Sequence, residues 1–483
     1  MLKQLTEAVV GALVNFRQRL YDALVYRADT LFNLLDSLSG NTTAPSVVEL
    51  SLNAPFSRQY SSLHDGVDNL QLRGSSTEAV AAATAPAPLD WVGLIADDLP
   101  RPAERPFWLL GLDTTPAVRP FAETLVDRGV VYYPNPAPGN KPIGVGHCDS
   151  VLALLPERGP QEAPWVVPLR CDRVPTAKKA REVAVEQMVG VLTHPQLPLA
   201  HELSVEVVDS HYSHAGYLSP VGGYEHHVVI ARLAANRTLY RAPPPGIDAG
   251  PGHPLWYGEP VKLSQAETLG PPDDTAELDW YSRSGRRWRV QLHRWHDLRM
   301  RGKHDALMQD RPFDLIRATV TDAQGKPRFQ RPLWLLVLGS RRREISLVQA
   351  YQAYCQRYDL EHFFRFGKTK LLLDRYQTPC VEHEEQWWQL VCRAYLQLWL
   401  AAPRAVWLPR PWERYAVTQA ARAGPGPGPV QRQFERIIRQ IGTPARLPTR
   451  RGNSPGRAPG HCPGRRPRQP VVFKRRSRPK KAA

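Results

Sequence analysis

Between residues 107 and 234 the chain alternates short apolar runs with polar, turn-rich breaks, and this alternation most limits how it can fold. The runs "FWLLGLD" (107–113), "GVVYY" (129–133), "VLALL" (151–155), "WVVPLRC" (165–171), "LSVEVVD" (203–209) and "HHVVIARLA" (226–234) are all of strand length. The stretch "AKKAREVAVEQMVGVLTH" (177–194) has helical spacing instead. Strands, a helix, a strand, a short helix and a strand, in that order, predict a mixed α/β sheet with helices packed on its faces. Two of the runs end in an acid, Asp113 and Asp209.

The flanking segments differ in character. Residues 1–75 are expected to form an N-terminal helical domain, beginning with one long helix or a bent pair over 1–37. An Ala/Pro-rich connector fills 76–105, and the first part of the α/β domain covers 106–242. Residues 243–345, with Trp280, Trp288 and Trp295 among alternating polar residues, are expected to be a β-rich insertion. Helical spacing resumes over 346–405, the second part of the α/β domain. Residues 406–483 are expected to be a Pro/Gly/Arg-rich linker and a disordered basic tail, interrupted by one isolated helix at "QRQFERIIRQIG".

Charge points to a polyanionic partner. The chain has 63 Lys and Arg against 46 Asp and Glu, a formal net charge of +17. Thirteen of those bases and no acid lie between Thr443 and the end, so about +4 remains for everything before. The six cysteines form no C-x-x-C pair, which suggests reduced thiols and a cytoplasmic protein. No apolar run is long enough for a membrane span, so no membrane partner is expected.

The segment "YCQRYDLEHFFRFGK" (354–368) places Tyr354, Arg357, Glu361 and Lys368 at steps of three, four and seven. At about 100° per residue these four share one helix face. Asp113, Asp209 and Glu361 converging at a sheet edge would repel one another unless cations neutralised them. Mg²⁺ suits an all-oxygen donor set, and two such ions can activate an attacking oxygen and stabilise a leaving one. Arg357 and Lys368 could then hold DNA phosphates, with Tyr354 stacking or hydrogen-bonding on the same strand. A zinc site from His211, His214, His226 and His227 is the weaker alternative, because these histidines lack a ligand frame.

The spacing Y-x2-R-x3-E-x6-K, matched at all four positions, resembles that of DDE transposases of bacterial insertion sequences. "LLGLDTTPAVRP" corresponds to that family's first acidic motif and gives Asp113; "VEVVDSHYSHAGY" corresponds to the second and gives Asp209. After Asp209 the chain reads Ser210-His211-Tyr212, where relatives often have a Gly or Ala two residues on. The resemblance covers roughly residues 100–405 and implies an RNase H-like fold with a β-domain inserted before the glutamate helix. It further implies two Mg²⁺ ions (Mn²⁺ substituting) held by Asp113, Asp209 and Glu361. The implied reaction is cleavage at element ends followed by strand transfer to target DNA. The implied partners are terminal inverted repeats, recognised by the N-terminal helices, and a second copy in the DNA-bound synaptic complex.

Three functional classes stay open on the sequence. They are an enzyme that cuts and joins DNA, a metal nuclease of the same fold that only hydrolyses, and a decayed transposase that only binds DNA. The tail is open too, either as a source of sequence-independent DNA affinity or as a frameshifted end. Each tryptophan of the insertion is either a core residue or a stacking surface for a flipped base.

Overall fold

The computed structural model describes residues 2–72, 90–133, 142–160, 162–245, 255–281, 285–405, 424–449, 458–462 and 464–473. Much of the expected connector, the linker at 406–423 and residues 474–483 lie outside the described residues.

The N-terminal region contains helices α1 (Leu2–Ala23), α2 (Ala28–Ser39), α3 (Val47–Leu50) and α4 (Tyr60–Asp68). The bent-pair alternative for 1–37 is the one observed, and the bend falls at Arg27, whose φ of 55° lies in the left-handed region. Ser46 caps α3 through its hydroxyl, which accepts the Glu49 N–H at 3.4 Å. Phe16, Leu20, Leu31, Phe32 and Leu35 are fully buried, as is the guanidinium of Arg17. Arg17 donates to Asp36 on α2 at 3.0 Å through Nη2 and to Gln397 at 2.6 Å through Nη1.

The central feature is a ten-stranded mixed sheet. Its first strands are β1 (Trp108–Val118), β2 (Gly129–Tyr132), β3 (Ile143–Leu154) and β4 (Val167–Arg173). Helix α5 (Ala180–Leu192) leads to β5 (Ser204–Val208), and α6 (Ala215–Val221) leads to β6 (His227–Leu233). β3 runs antiparallel to β1, β2 and β4, while β1, β5 and β6 are mutually parallel neighbours. This is the expected RNase H-like sheet, and all five residues of β5 are buried, Ser204 and Glu206 included.

The chain then makes a small hairpin of β7 (Thr238–Tyr240) and β8 (Pro260–Lys262). Next come β9 (Asp274–Tyr281), β10 (Arg287–Leu298), β11 (Phe313–Thr321) and β12 (Leu333–Leu338). These four extend the central sheet: β12 pairs antiparallel with β6, and β11, β10 and β9 follow outward. Apart from β8, which pairs only with β7, the strands of the expected β-rich stretch therefore belong to the central sheet.

Helices α7 (Leu347–Gln356), α8 (Tyr358–Lys370), α9 (Val381–Ala401) and α10 (Pro427–Ile441) complete the structure. α9 carries fifteen buried residues, including Trp387, Trp388 and Tyr395, and contacts β4 on one side and the N-terminal helices on the other. The last helix is not isolated as expected: Val430, Phe434 and Ile437 are buried against α9 and α2. Residues 464–473, expected within a disordered tail, are instead seated at the β2 edge of the sheet, where Val472 bridges Gly129 in parallel. No described helix is long and apolar enough to cross a membrane.

Candidate active site

Strand register places the first two acids side by side. β1 and β5 pair in parallel with Gly111 opposite Val207. Two residues further on, Asp113 and Asp209 occupy equivalent positions on adjacent strands and point to the same face. Asp209 directly follows β5, as expected. Asp113 does not end its strand: β1 continues to Val118 because β3 keeps pairing with it, whereas β5 stops. The acid sits where the parallel pair opens.

The third acid arrives on a helix packed tightly over β1. A methyl group at Gly111 would lie 3.0 Å from the side chains of both Leu155 and Leu360, so glycine permits the close approach that brings Glu361 over the strand. The expected single helix over 354–368 is interrupted at Arg357, where i→i−3 bonds (Arg357 N–H to Tyr354 O, Leu360 N–H to Arg357 O) tighten the turn. The backbone there stays right-handed (φ −48°, ψ −30°), so the polar stripe survives the interruption.

Arg357 ties the cluster together. Its Nη1 donates to Asp113 Oδ2 at 2.7 Å, and its Nη2 donates to Glu361 Oε1 at 3.3 Å. The other Asp113 oxygen accepts the Thr114 N–H at 2.8 Å, and Asp209 Oδ1 accepts the His211 N–H at 2.8 Å. Burial pushes the Asp113 carboxyl above the ordinary carboxylate range; Arg357 and the Thr114 N–H oppose this, and Asp209 adds to it. Burial also works against the Arg357 charge, but Asp113, Tyr354, Glu361 and Asp209 together outweigh it and hold the guanidinium above its usual pKa. Glu361 is 42% exposed, so the cluster opens to solvent on the helix side.

The other two members of the motif face inward. Tyr354 is 9% exposed and hydrogen-bonds Arg357, so it cannot offer its ring to a DNA strand; the expected stacking is replaced by support of the guanidinium. Lys368 donates to the Pro116 carbonyl on β1 at 2.6 Å, and burial lowers its pKa.

Tyr212, which residue spacing did not single out, lies near enough to Asp113 and Asp209 to feel their charges. It is 1% exposed, its ring packs edge-on against Tyr217 at 5.2 Å, and its hydroxyl has no hydrogen-bond partner among the described residues. Burial raises its pKa well above the ordinary value, and Asp113 and Asp209 are the charges that add most to this. An unpaired phenol beside two carboxylates is costly unless a group joins them on loading. Three residues after Asp209, Tyr212 was legible only as an apolar position in a loop.

The four histidines weighed for zinc go to separate partners. His214 caps α6 by accepting the Gly216 N–H, His227 meets Ser204, His226 meets Arg341, and His211 packs on Tyr212. Of the tryptophans, Trp295 is a core residue that donates to the Gly270 carbonyl. Trp280 is 39% exposed, and Arg328 lies over both Trp280 and Trp288, 4.6 and 4.9 Å from their ring centroids.

The donor set suits a hard divalent ion, since all three carboxylates offer oxygen and stand at an open sheet position. Among the described residues no three His, Cys, Asp or Glu side chains form a ready-made metal centre. The Arg357 guanidinium lies between Asp113 and Glu361 and supplies the positive charge that the acids require. The three carboxylates are hard oxygen donors of the kind that Mg²⁺ prefers.

Acids on the neighbouring central strands of an RNase H-like sheet are the architecture of nuclease-type enzymes. Residues 19–297 match the family model described as DDE superfamily endonuclease, and the chain belongs to that family. The match takes in Asp113 and Asp209 and stops before the helix bearing Glu361. Membership of that family implies DNA as substrate and a divalent metal as cofactor. No curated protein matches the chain.

Proposed function

We propose that this protein is a transposase that cuts DNA at the ends of a mobile element and joins the freed ends to target DNA. One observation carries the proposal: adjacent parallel strands present Asp113 and Asp209 in register, and Arg357 links Asp113 to Glu361 from the helix packed above. Two acids in register on adjacent strands, one of them joined through Arg357 to a third on a helix, suit phosphodiester chemistry in a basic protein better than a purely structural role.

In this scheme Asp113, Asp209 and Glu361 hold two Mg²⁺ ions, for which Mn²⁺ can substitute. When bound, the ions supply an activated nucleophile and stabilise the leaving oxygen in an in-line displacement. Arg357 exchanges its carboxylate partners for a phosphate oxygen as DNA enters, a role suited to its planar fork. Tyr354 holds that guanidinium in place, and Lys368 fixes the helix to β1 and contributes positive potential along the strand. Trp280 and Trp288, with Arg328 over them, offer a stacking surface to an unpaired base. The helices of residues 1–75 read the terminal inverted repeats, and two ends are held by two copies of the chain.

The test uses precut element ends, a supercoiled target plasmid and Mg²⁺. Joined product is expected with the parent protein and none with Asp113→Asn. Hydrolysis without joining would leave a nuclease, and binding without cleavage would leave a DNA-binding protein.

A further inference from the structure

Helices α5 and α6 cover the face of the sheet opposite the acids. Gly111, and with it Asp113 two residues on, faces α8, where Leu360 packs. Ser150, paired with Thr114, donates to Gln187 of α5 at 2.7 Å. Glu206, paired with Leu110, accepts from the Tyr217 hydroxyl of α6. Leu110 and Thr114 alternate with Asp113 along β1, so both helices lie behind it. Residues 209–214 carry the chain from Asp209, over the C-terminal end of β5, to the start of α6.

Cations from three segments gather where that loop lands. Arg237, just past β6, donates from Nη2 to the Ser213 carbonyl at 3.1 Å. A methyl group at Gly216 would lie 3.6 Å from Arg181 Nε, so this side chain of α5 rests over the first turn of α6. Ser219 donates to the Leu307 carbonyl at 3.0 Å, which lays the loop carrying Lys303 along the same helix. After burial, the charges that bear most on His214 are those of Arg181, Lys303, Arg237 and Lys179, all positive. Lys179 is engaged by Glu182 at 3.5 Å, whereas Arg181, Arg237 and Lys303 form no ion pair among the described residues. Like charges held together without counterions favour an anionic partner.

Ser213 is four residues from Asp209, a reach of at most about 14 Å. That is about four base pairs of duplex at 3.4 Å each. Joining brings two DNA molecules to one set of acids, and Arg357 meets the first from the α8 side. The second has to approach from another direction, and the cations stand across the end of the sheet from α8.

We propose that Arg181, Arg237 and Lys303 hold backbone phosphates of the target DNA within about four base pairs of the bond that receives the element end. This inference rests on the transposase reading above.

The test uses the full chain with uncut element ends, Mg²⁺ and a labelled target duplex, and reads cleaved ends and joined product together. Target affinity of the end-bound complex is measured over about 50–200 mM salt. Arg181→Gln combined with Lys303→Gln is expected to lower joined product per cleaved end about tenfold and to make the salt slope shallower by about two. Lys303→Gln alone, at an exposed position, is expected to remove about one unit of that slope. Arg181→Lys combined with Lys303→Arg keeps both charges and is expected to join like the parent. An unchanged ratio and slope in the glutamine variants overturn the proposal. Cleavage and joining that fall in step also overturn it, because they put these cations on the element end. A parent that cleaves but never joins overturns the transposase reading itself.

Discussion

Arg357 reaches across 244 residues of chain to hold Asp113 at 2.7 Å, and this pair joins the strand acids to the helix acid. The guanidinium neutralises part of the charge that the acids bring together. Asp113→Asn and Glu361→Gln are therefore expected to abolish cleavage while end binding, measured by gel shift, stays within about threefold of the parent. EDTA should stop the parent reaction, and Mn²⁺ should restore it.

Tyr212→Phe separates stability from activity. The buried hydroxyl has no hydrogen-bond partner among the described residues, a condition that costs about 1–3 kcal/mol. Removing only that oxygen should raise the melting temperature by a few degrees and slow cleavage about tenfold. A melting temperature that falls would mean that the phenol already has a stabilising partner.

Asp36→Ala tests how the N-terminal helices are held. It leaves Arg17, 2% exposed, without its carboxylate, and loss of one partner of such a pair costs about 3–5 kcal/mol. Chemical denaturation should show this loss. Because Arg17 also reaches Gln397 on α9, the loss should appear in one transition shared by the helices and the sheet.

His214 gives the fold an acid-sensitive point. Its Nδ1 accepts the Gly216 N–H, which requires a deprotonated nitrogen. Burial, then the nearby Arg181, Lys303, Arg237 and Lys179, lower its pKa. A histidine depressed in the folded state binds fewer protons than in the unfolded chain, so its contribution is intact above the ordinary value of about 6.5 and is lost as pH falls from there through the folded pKa. His214→Asn keeps a capping acceptor without the titration. The difference in melting temperature between parent and variant should therefore shift in the variant's favour between pH 7 and pH 5.

The strands around the acids were legible in the sequence because burial makes them short, mainly apolar runs, as at the start of β1. Glu361 was legible because helical spacing survives even a tightened turn. The continuation of β1 past Asp113 was not legible, since it depends on β3 pairing with nine residues of β1, from Leu110 to Val118. The inward turn of Tyr354 could not be read from spacing, which fixes a helix face but not what packs against it. Tyr212 carried no signal because a loop aromatic stands out only when its burial and its unpartnered hydroxyl are seen. The seated tail was hidden by composition: an Arg/Pro-rich segment reads as unfolded until a strand edge gives its backbone somewhere to bond.

β12 is hydrogen-bonded to β6 on one side and β11 on the other, so an unbroken ladder links the tryptophan-bearing strands to the strand beside Asp209. The exposed tryptophan face therefore keeps a fixed offset from the acid-bearing strands, counted in whole strands and insensitive to loop length.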